Sequence, residues 1–235
     1  MGSGPFGQSP GGHFNFDVPS QVTYVEPFPR RVRAVKDDET VVDSDRTVLV
    51  FESRRMPHYA FPTEDVAFDR ARPEPAVAGH VRVAWDAVDA WFEEDEQVYV
   101  HVRDPYHRID VVPTHRHVVI SLDGPDGAVV LADSTSTRAL HETGLPVRWY
   151  VPPADVRSEL LEASATVTHC AYKGTPVHWS AQLGGDPVPD VGWTYPGEVR
   201  REAEDVRDYI AFYNERVDID VDGVRQERPT TPWSR

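Results

Sequence analysis

Residues 41–66, VVDSDRTVLVFESRRMPHYAFPTEDV, can be laid on residues 131–156, LADSTSTRALHETGLPVRWYVPPADV, at a constant offset of 90 without a gap. Asp43, Ser44, Glu52, Pro62, Asp65 and Val66 then meet Asp133, Ser134, Glu142, Pro152, Asp155 and Val156. Self-similarity of this length marks a duplicated structural unit, and a chain of 235 residues has room for two. The expected organisation is a flexible tail rich in Gly, Ser and Pro over residues 1–20, anchored by Phe14 and Phe16, and then a first, degenerate domain over 21–114. A second, complete domain over 115–225 and a short tail over 226–235 follow, the tail disordered apart from Trp233. A weaker echo sets RDPYHRIDV (103–111) against FYNERVDIDV (212–221).

Both copies are written in short β-like runs bounded by turn residues. VRAV (32–35) is followed by a turn at KDDE, and TVVDSDRTVLVFES breaks at Asp43-Ser44, the pattern of antiparallel strands with short connections. The repeated Asp-Ser pairs read as turn residues whose side chains bond nearby backbone N–H groups. Residues 152–156 read as a short helix started by proline and running to Leu161. REAEDVRDYIAFY (201–213) reads as a short charged helix or loop entering a strand, and VDIDVDG (217–223) as a half-solvated edge strand. The expected fold class is all-β, mainly antiparallel, with short helical turns.

Only the second copy has room for a site. Between Val66 and Trp85 the first copy holds just AFDRARPEPAVAGHVRVA, whereas residues 163–196 of the second gather the single cysteine, one of two lysines, two histidines and two tryptophans. Residues 166–173 and 176–183 flank Gly174-Thr175 and read as a hairpin with a two-residue turn. That register pairs Ala171 with His178 and Cys170 with Trp179. It places His169, Lys173, His178 and Ser180 on one polar face, and Cys170 and Tyr172 with Val177 and Trp179 on an apolar one. The chain uses arginine almost everywhere it needs a cation and lysine only at Lys36 and Lys173. A lysine in that company points to a compact charge or titratable amine; the alternatives are an edge-strand lysine that blocks aggregation, or one paired internally with Glu142. Glu142, in an apolar-flanked strand, is either a general base or a partner of Arg148.

Composition narrows the partners. A formal net charge of −15 opposes nucleic acid phosphates and anionic membranes. The single cysteine permits no internal disulfide and no CxxC pair for zinc. His115, His117 and His141 match no recognised ligand spacing, so no metal is expected, and no cofactor is identifiable. With neither a signal-like opening nor a membrane-length apolar run, the expected location is cytoplasmic.

These residues together resemble a known family. FPRRVRAV (28–35), the segments of 42–66 and 131–156 quoted above, WFEEDEQVYVHVRDPYHRIDV (91–111), THCAYKGT (168–175) and the WTYP and IAFYNERVDIDVDG stretches of 193–223 are similar to the domain of unknown function 427, also labelled nucleotidyltransferase-like, in a tandem two-copy form. The family motif is similar to Cys-Pro-Tyr-Lys-Gly, and this chain has Ala171 in place of the proline. The resemblance implies β-tent domains of Mss4-like architecture, two antiparallel sheets meeting at an angle, as in methionine sulfoxide reductase B and the cereblon ligand-binding domain. Some proteins of that architecture hold zinc through two CxxC pairs, which are missing here, and some bind a ligand in an aromatic cage. It implies no activity. The expectation is a pocket in the second copy for an anionic or nucleotide-like small molecule, built from His169, Lys173, His178, Trp193 and Tyr195, with Tyr172, Arg148, Trp149 and Glu142 beside it. As a transferase or hydrolase, Lys173 would contact the anion and Glu142 or His169 would move a proton. The alternatives are a non-catalytic ligand-binding or protein-interaction module and, last, redox chemistry at Cys170.

Overall fold

A computed structural model describes residues 13–231, 233 and 234; residues 1–12, 232 and 235 of the expected tails lie outside the described residues. The chain divides into two compact units between His107 and Arg108, seven residues ahead of the expected boundary, because the strand over Ile109–Pro113 pairs with the strand that carries Glu142. The protein is all-β, and its strands form antiparallel sheets joined by short loops and short helices.

In the first unit, β1 (Thr23–Pro27), β4 (Val48–Glu52), β5 (His58–Pro62), β7 (His80–Arg82) and β6 (Arg72–Pro73) lie side by side in that order. A second sheet runs β3 (Glu39–Ser44), β2 (Val32–Lys36), β8 (Ala90–Glu93), β9 (Glu96–Val98). The expected turn after VRAV is Asp37-Asp38, both at positive φ, as the right-handed twist of a two-residue hairpin loop requires. Alternating side chains from both sheets, among them Val32, Val42, Leu49, Phe51, Phe61 and Trp91, form one apolar core.

The second unit repeats this plan. β10 (Ile109–Pro113), β13 (Arg138–Glu142) and β14 (Arg148–Val151) take the places of β1, β4 and β5, while β11 (Val118–Gly124) and β12 (Gly127–Ser134) take those of β2 and β3. Each strand of the β11–β12 hairpin is two residues longer than its counterpart. The serine of the repeated Asp-Ser motif is a turn clasp: Ser134 Oγ donates to Asp155 at 2.6 Å and accepts from Ser136 N at 3.0 Å, as Ser44 does with Asp65 and Arg46 N at 2.7 and 3.1 Å, whereas the aspartates meet the side chains of His117 and Arg31 rather than backbone. One-turn helices over Pro153–Asp155 and Ser158–Leu160 stand where a short helix was expected.

Beyond β14 the copies diverge. The second unit continues with β15 (Leu161–Val167), β16 (Val177–Ala181), β17 (Val188–Thr194) and β18 (Ile210–Phe212), giving a seven-stranded sheet ordered β10-β13-β14-β18-β17-β16-β15. β18 abuts β14 as β7 abuts β5, and β17 abuts β18 as β6 abuts β7, so β15 and β16 are the addition. A four-stranded sheet, β12-β11-β19-β20, closes the unit, with β19 at Asp218–Val221 and β20 at Val224–Arg225. β19 is flanked on both sides by β11 and β20, which corrects its reading as an edge strand. The weaker echo is likewise not structural, since Ile109-Asp110-Val111 belongs to β10 whereas residues 218–221 occupy the place of β8. At the ends, Phe14 and Phe16 pack on each other at 5.1 Å. The tail expected to be disordered is pinned where it is described, Arg228 to Asp218 and Thr231 to Glu215.

Candidate functional site

The expected hairpin exists with a different register. β15 ends at Val167, and β16 pairs with residues preceding the loop, Ala163 opposite Trp179 and Glu162 opposite Ser180. Residues 168–176 form the connection. Cys170 and Gly174 exchange two backbone hydrogen bonds, closing their own tight turn, which Gly174 makes possible at φ +119°. Lys173 O accepts from Arg200 N, and Gly174 bridges Val199, so the turn is held against the segment after β17.

That loop scatters the expected polar face. His169 is exposed and its Nδ1 meets Thr175 Oγ1 at 2.8 Å. Cys170, expected to be buried, and Tyr172 are only half-buried, because the loop lifts them off the sheet. Lys173 turns inward, 7% exposed, and its Nζ donates to Glu142 Oε2 at 2.5 Å, with Glu142 8% exposed. Glu142 thus pairs with Lys173 rather than Arg148, and the lysine blocks no strand edge.

The sheet itself assembles most of the other expected residues. Tyr150, Ala211, Trp193 and His178 lie opposite one another in a single row across β14, β18, β17 and β16, so their side chains share one face with Leu140, Glu142 and Arg148. This outer face is covered by the two-turn helix over Arg201–Val206 through Ala203 and Val206, and it forms its own cluster with Tyr195. Trp193 Nε1 donates to Tyr150 Oη at 2.9 Å. Burial drives the Tyr150 hydroxyl well above its ordinary pKa, with Glu142 and Cys170 adding to the rise over the opposing bond from Trp193. Burial does the same at Tyr195, again with contributions from Tyr150, Cys170 and Glu142. Both phenols therefore stay protonated and available as donors beside the Glu142–Lys173 pair.

Arg148 serves a different partner. Its guanidinium makes a bidentate pair with buried Glu215 at 2.8 and 2.7 Å, and faces the rings of Trp193, Tyr213 and Trp233 at 5.6, 6.0 and 5.7 Å. Burial works to raise the Glu215 pKa, but the bonds from Arg148 and Thr231 outweigh it and hold the carboxyl below its usual range. Trp149 points to the opposite face, where it joins the inner core and lines a cleft of about 460 Å³ with Val112, Arg116, His141, Asn214 and Gln226. Missed in the sequence were Tyr150, whose phase in β14 matches that of Arg148, and Glu215, which carries no local signal at all. Among the described residues, no group of three or more His, Cys, Asp or Glu is placed to hold a metal ion, and no helix is long and apolar enough to cross a membrane.

Fold and site together define a duplicated all-β protein in which the second copy alone carries a buried Lys–Glu centre. The family model described as a domain of unknown function (DUF427) matches residues 24–78 and 110–223, and the chain belongs to that family. No curated protein matches the sequence.

Proposed function

We propose that the second unit binds a small polar molecule at the outer face of its seven-stranded sheet and moves a proton there between Lys173 and Glu142, in the manner of a transferase or hydrolase. The supporting observation is the pair itself: two opposite charges, each less than a tenth exposed and 2.5 Å apart, the lysine carried by a loop the first unit lacks. A buried ion pair adds little stability over apolar residues of the same shape, so its presence calls for another reason. The counterpart of Glu142 in the first unit, Glu52, instead pairs with the exposed Arg55 at 3.1 Å. With its charge already engaged, Lys173 acts as a proton donor in a couple rather than as a free contact for an anion, while Tyr150 and Tyr195 supply neutral donors.

A second reading, a non-catalytic binding module, is favoured by the cleft around Trp149 and His141. Thermal shift with a panel of nucleotides, sugar phosphates and short carboxylic acids separates the two, because a bound compound stabilises the fold by mass action. The proposal expects a compound that raises the melting temperature of the natural protein, loses that effect in Lys173→Met/Glu142→Leu, and keeps it in Trp149→Phe/His141→Ala. The reverse pattern assigns binding to the cleft and rejects the Lys–Glu site.

A further inference from the structure

We propose that Thr168, His178 and Asp190 form a nucleophile, base and positioning carboxylate for acyl transfer from a small uncharged ester. The inference rests on the outer face being the working face of the second unit, but not on the Lys–Glu pair. Thr168 opens the added loop and is exposed, and its Oγ1 lies 2.7 Å from Nε2 of His178, which is only 3% exposed. The imidazole lies parallel to the Tyr213 ring, at 3° and 6.4 Å, which holds its plane.

Two buried atoms have no hydrogen-bond partner, Nδ1 of His178 and Oδ1 of Asp190, and the Asp190 charge acts on the His178 ring. Buried polar atoms are rarely left so without a reason. A carboxylate can only accept, so the state that satisfies both puts the proton on Nδ1. Nε2 then accepts from the Thr168 hydroxyl, which is the arrangement that activates a hydroxyl nucleophile. Asp190 is held for this part: Thr166 Oγ1 donates to its Oδ2 at 2.8 Å, Arg216 donates to its carbonyl at 2.8 Å, and its backbone adopts φ +49°, a conformation uncommon outside glycine. Burial tends to raise its pKa, yet the Ser164 and Thr166 hydroxyls keep it below the usual carboxylate range, while desolvation lowers that of His178 and keeps the ring neutral. The bond between Nδ1 and Oδ1 is open in the resting protein and would close with substrate, as catalytic hydrogen bonds often do.

In the reaction, Thr168 Oγ1 bonds to the acyl carbon as its proton passes to His178 Nε2. The bond to the alkoxide breaks and the departing oxygen takes that proton. Water then attacks the acyl carbon, gives a proton to Nε2, and releases the carboxylic acid as Thr168 recovers its hydrogen. The net change is ester plus water to acid plus alcohol. A net charge of −15 favours an uncharged acyl substrate over a polyanion.

The test exposes the full chain to diisopropyl fluorophosphate and maps the adduct by mass spectrometry, alongside hydrolysis of p-nitrophenyl acetate. One adduct is expected on Thr168, absent in Thr168→Val, retained in Thr168→Ser, and formed at least tenfold more slowly in His178→Gln. Asp190→Asn should lower kcat at least tenfold with little change in KM, which a merely structural loss would not do. Because Thr168 is exposed, Thr168→Val should fold with an unchanged circular dichroism spectrum. Absence of an adduct on the folded natural protein, or hydrolysis unaltered in Thr168→Val, overturns the proposal whatever the thermal-shift panel gives.

Discussion

Removing the Lys173 ammonium alone leaves the Glu142 carboxylate buried without its counter-charge, a situation that costs about 3–5 kcal/mol in comparable pairs. Lys173→Met should therefore lower the denaturation midpoint sharply, and Lys173→Met/Glu142→Leu should recover most of that loss. Urea unfolding of the two variants checks this, and a single variant as stable as the natural protein would mean the pair does not form. His178 gives a pH signature. Desolvation lowers its folded pKa, with Arg216 contributing and Asp190 opposing, so the unfolded chain binds the proton more readily. Stability should then fall as pH drops through about 6.5 toward the lower folded value, and be regained above it. His178→Gln should flatten that part of the curve; an unchanged slope would show that the ring is not desolvated. Composition singled out Lys173, and the repeat and an apolar-flanked strand singled out Glu142, but the two lie 31 residues apart in sequence and their bond depends on how the loop folds back.

β17 and β18 pack closely enough to be tested with a methyl group. A Cβ on Gly192 in β17 would stand 2.6 Å from Ala211 O in β18, and backbone cannot yield as a side chain does. Gly192→Ala should cost about 1–3 kcal/mol, whereas Gly197→Ala, with open space around it, should leave the melting temperature unchanged; equal effects would contradict the β17–β18 packing. Turn chemistry and alternation were enough to read β2, β3, β4, β16 and the serine turns, because both are local. The register of β16 was not legible. Gly174 does terminate a turn, but it closes one with Cys170, and pairing falls to Leu161-Glu162-Ala163, whose composition is weakly β-like. Nor did the sequence distinguish Trp193 in the outer row from Trp149 on the inner face, since this requires knowing how β17 and β14 meet through β18.

At the scale of the chain, the duplication was visible because its most similar segment is ungapped, while the true start of the second unit was hidden in the Ile-Asp-Val echo. Residues 108–235 expressed alone should melt cooperatively with a β circular dichroism spectrum. Residues 115–235 lack β10 and with it Ile109, the register partner of Glu142, and should melt at a clearly lower temperature; equal melting would move the boundary back to 114.

With only two lysines in the chain, selective 13C labelling of lysine yields two side-chain signals, and Lys36, salt-bridged to Asp89 in the first unit, is a built-in reference. Following both signals through Glu142→Gln and through titration with the compound panel reads the Lys–Glu pair and its occupancy together. The Lys173 signal should move in the variant and on adding a binding compound while the Lys36 signal stays in place. A Lys173 signal unmoved by Glu142→Gln, or compounds that bind without disturbing it, would mean that the Lys–Glu pair is not the binding centre.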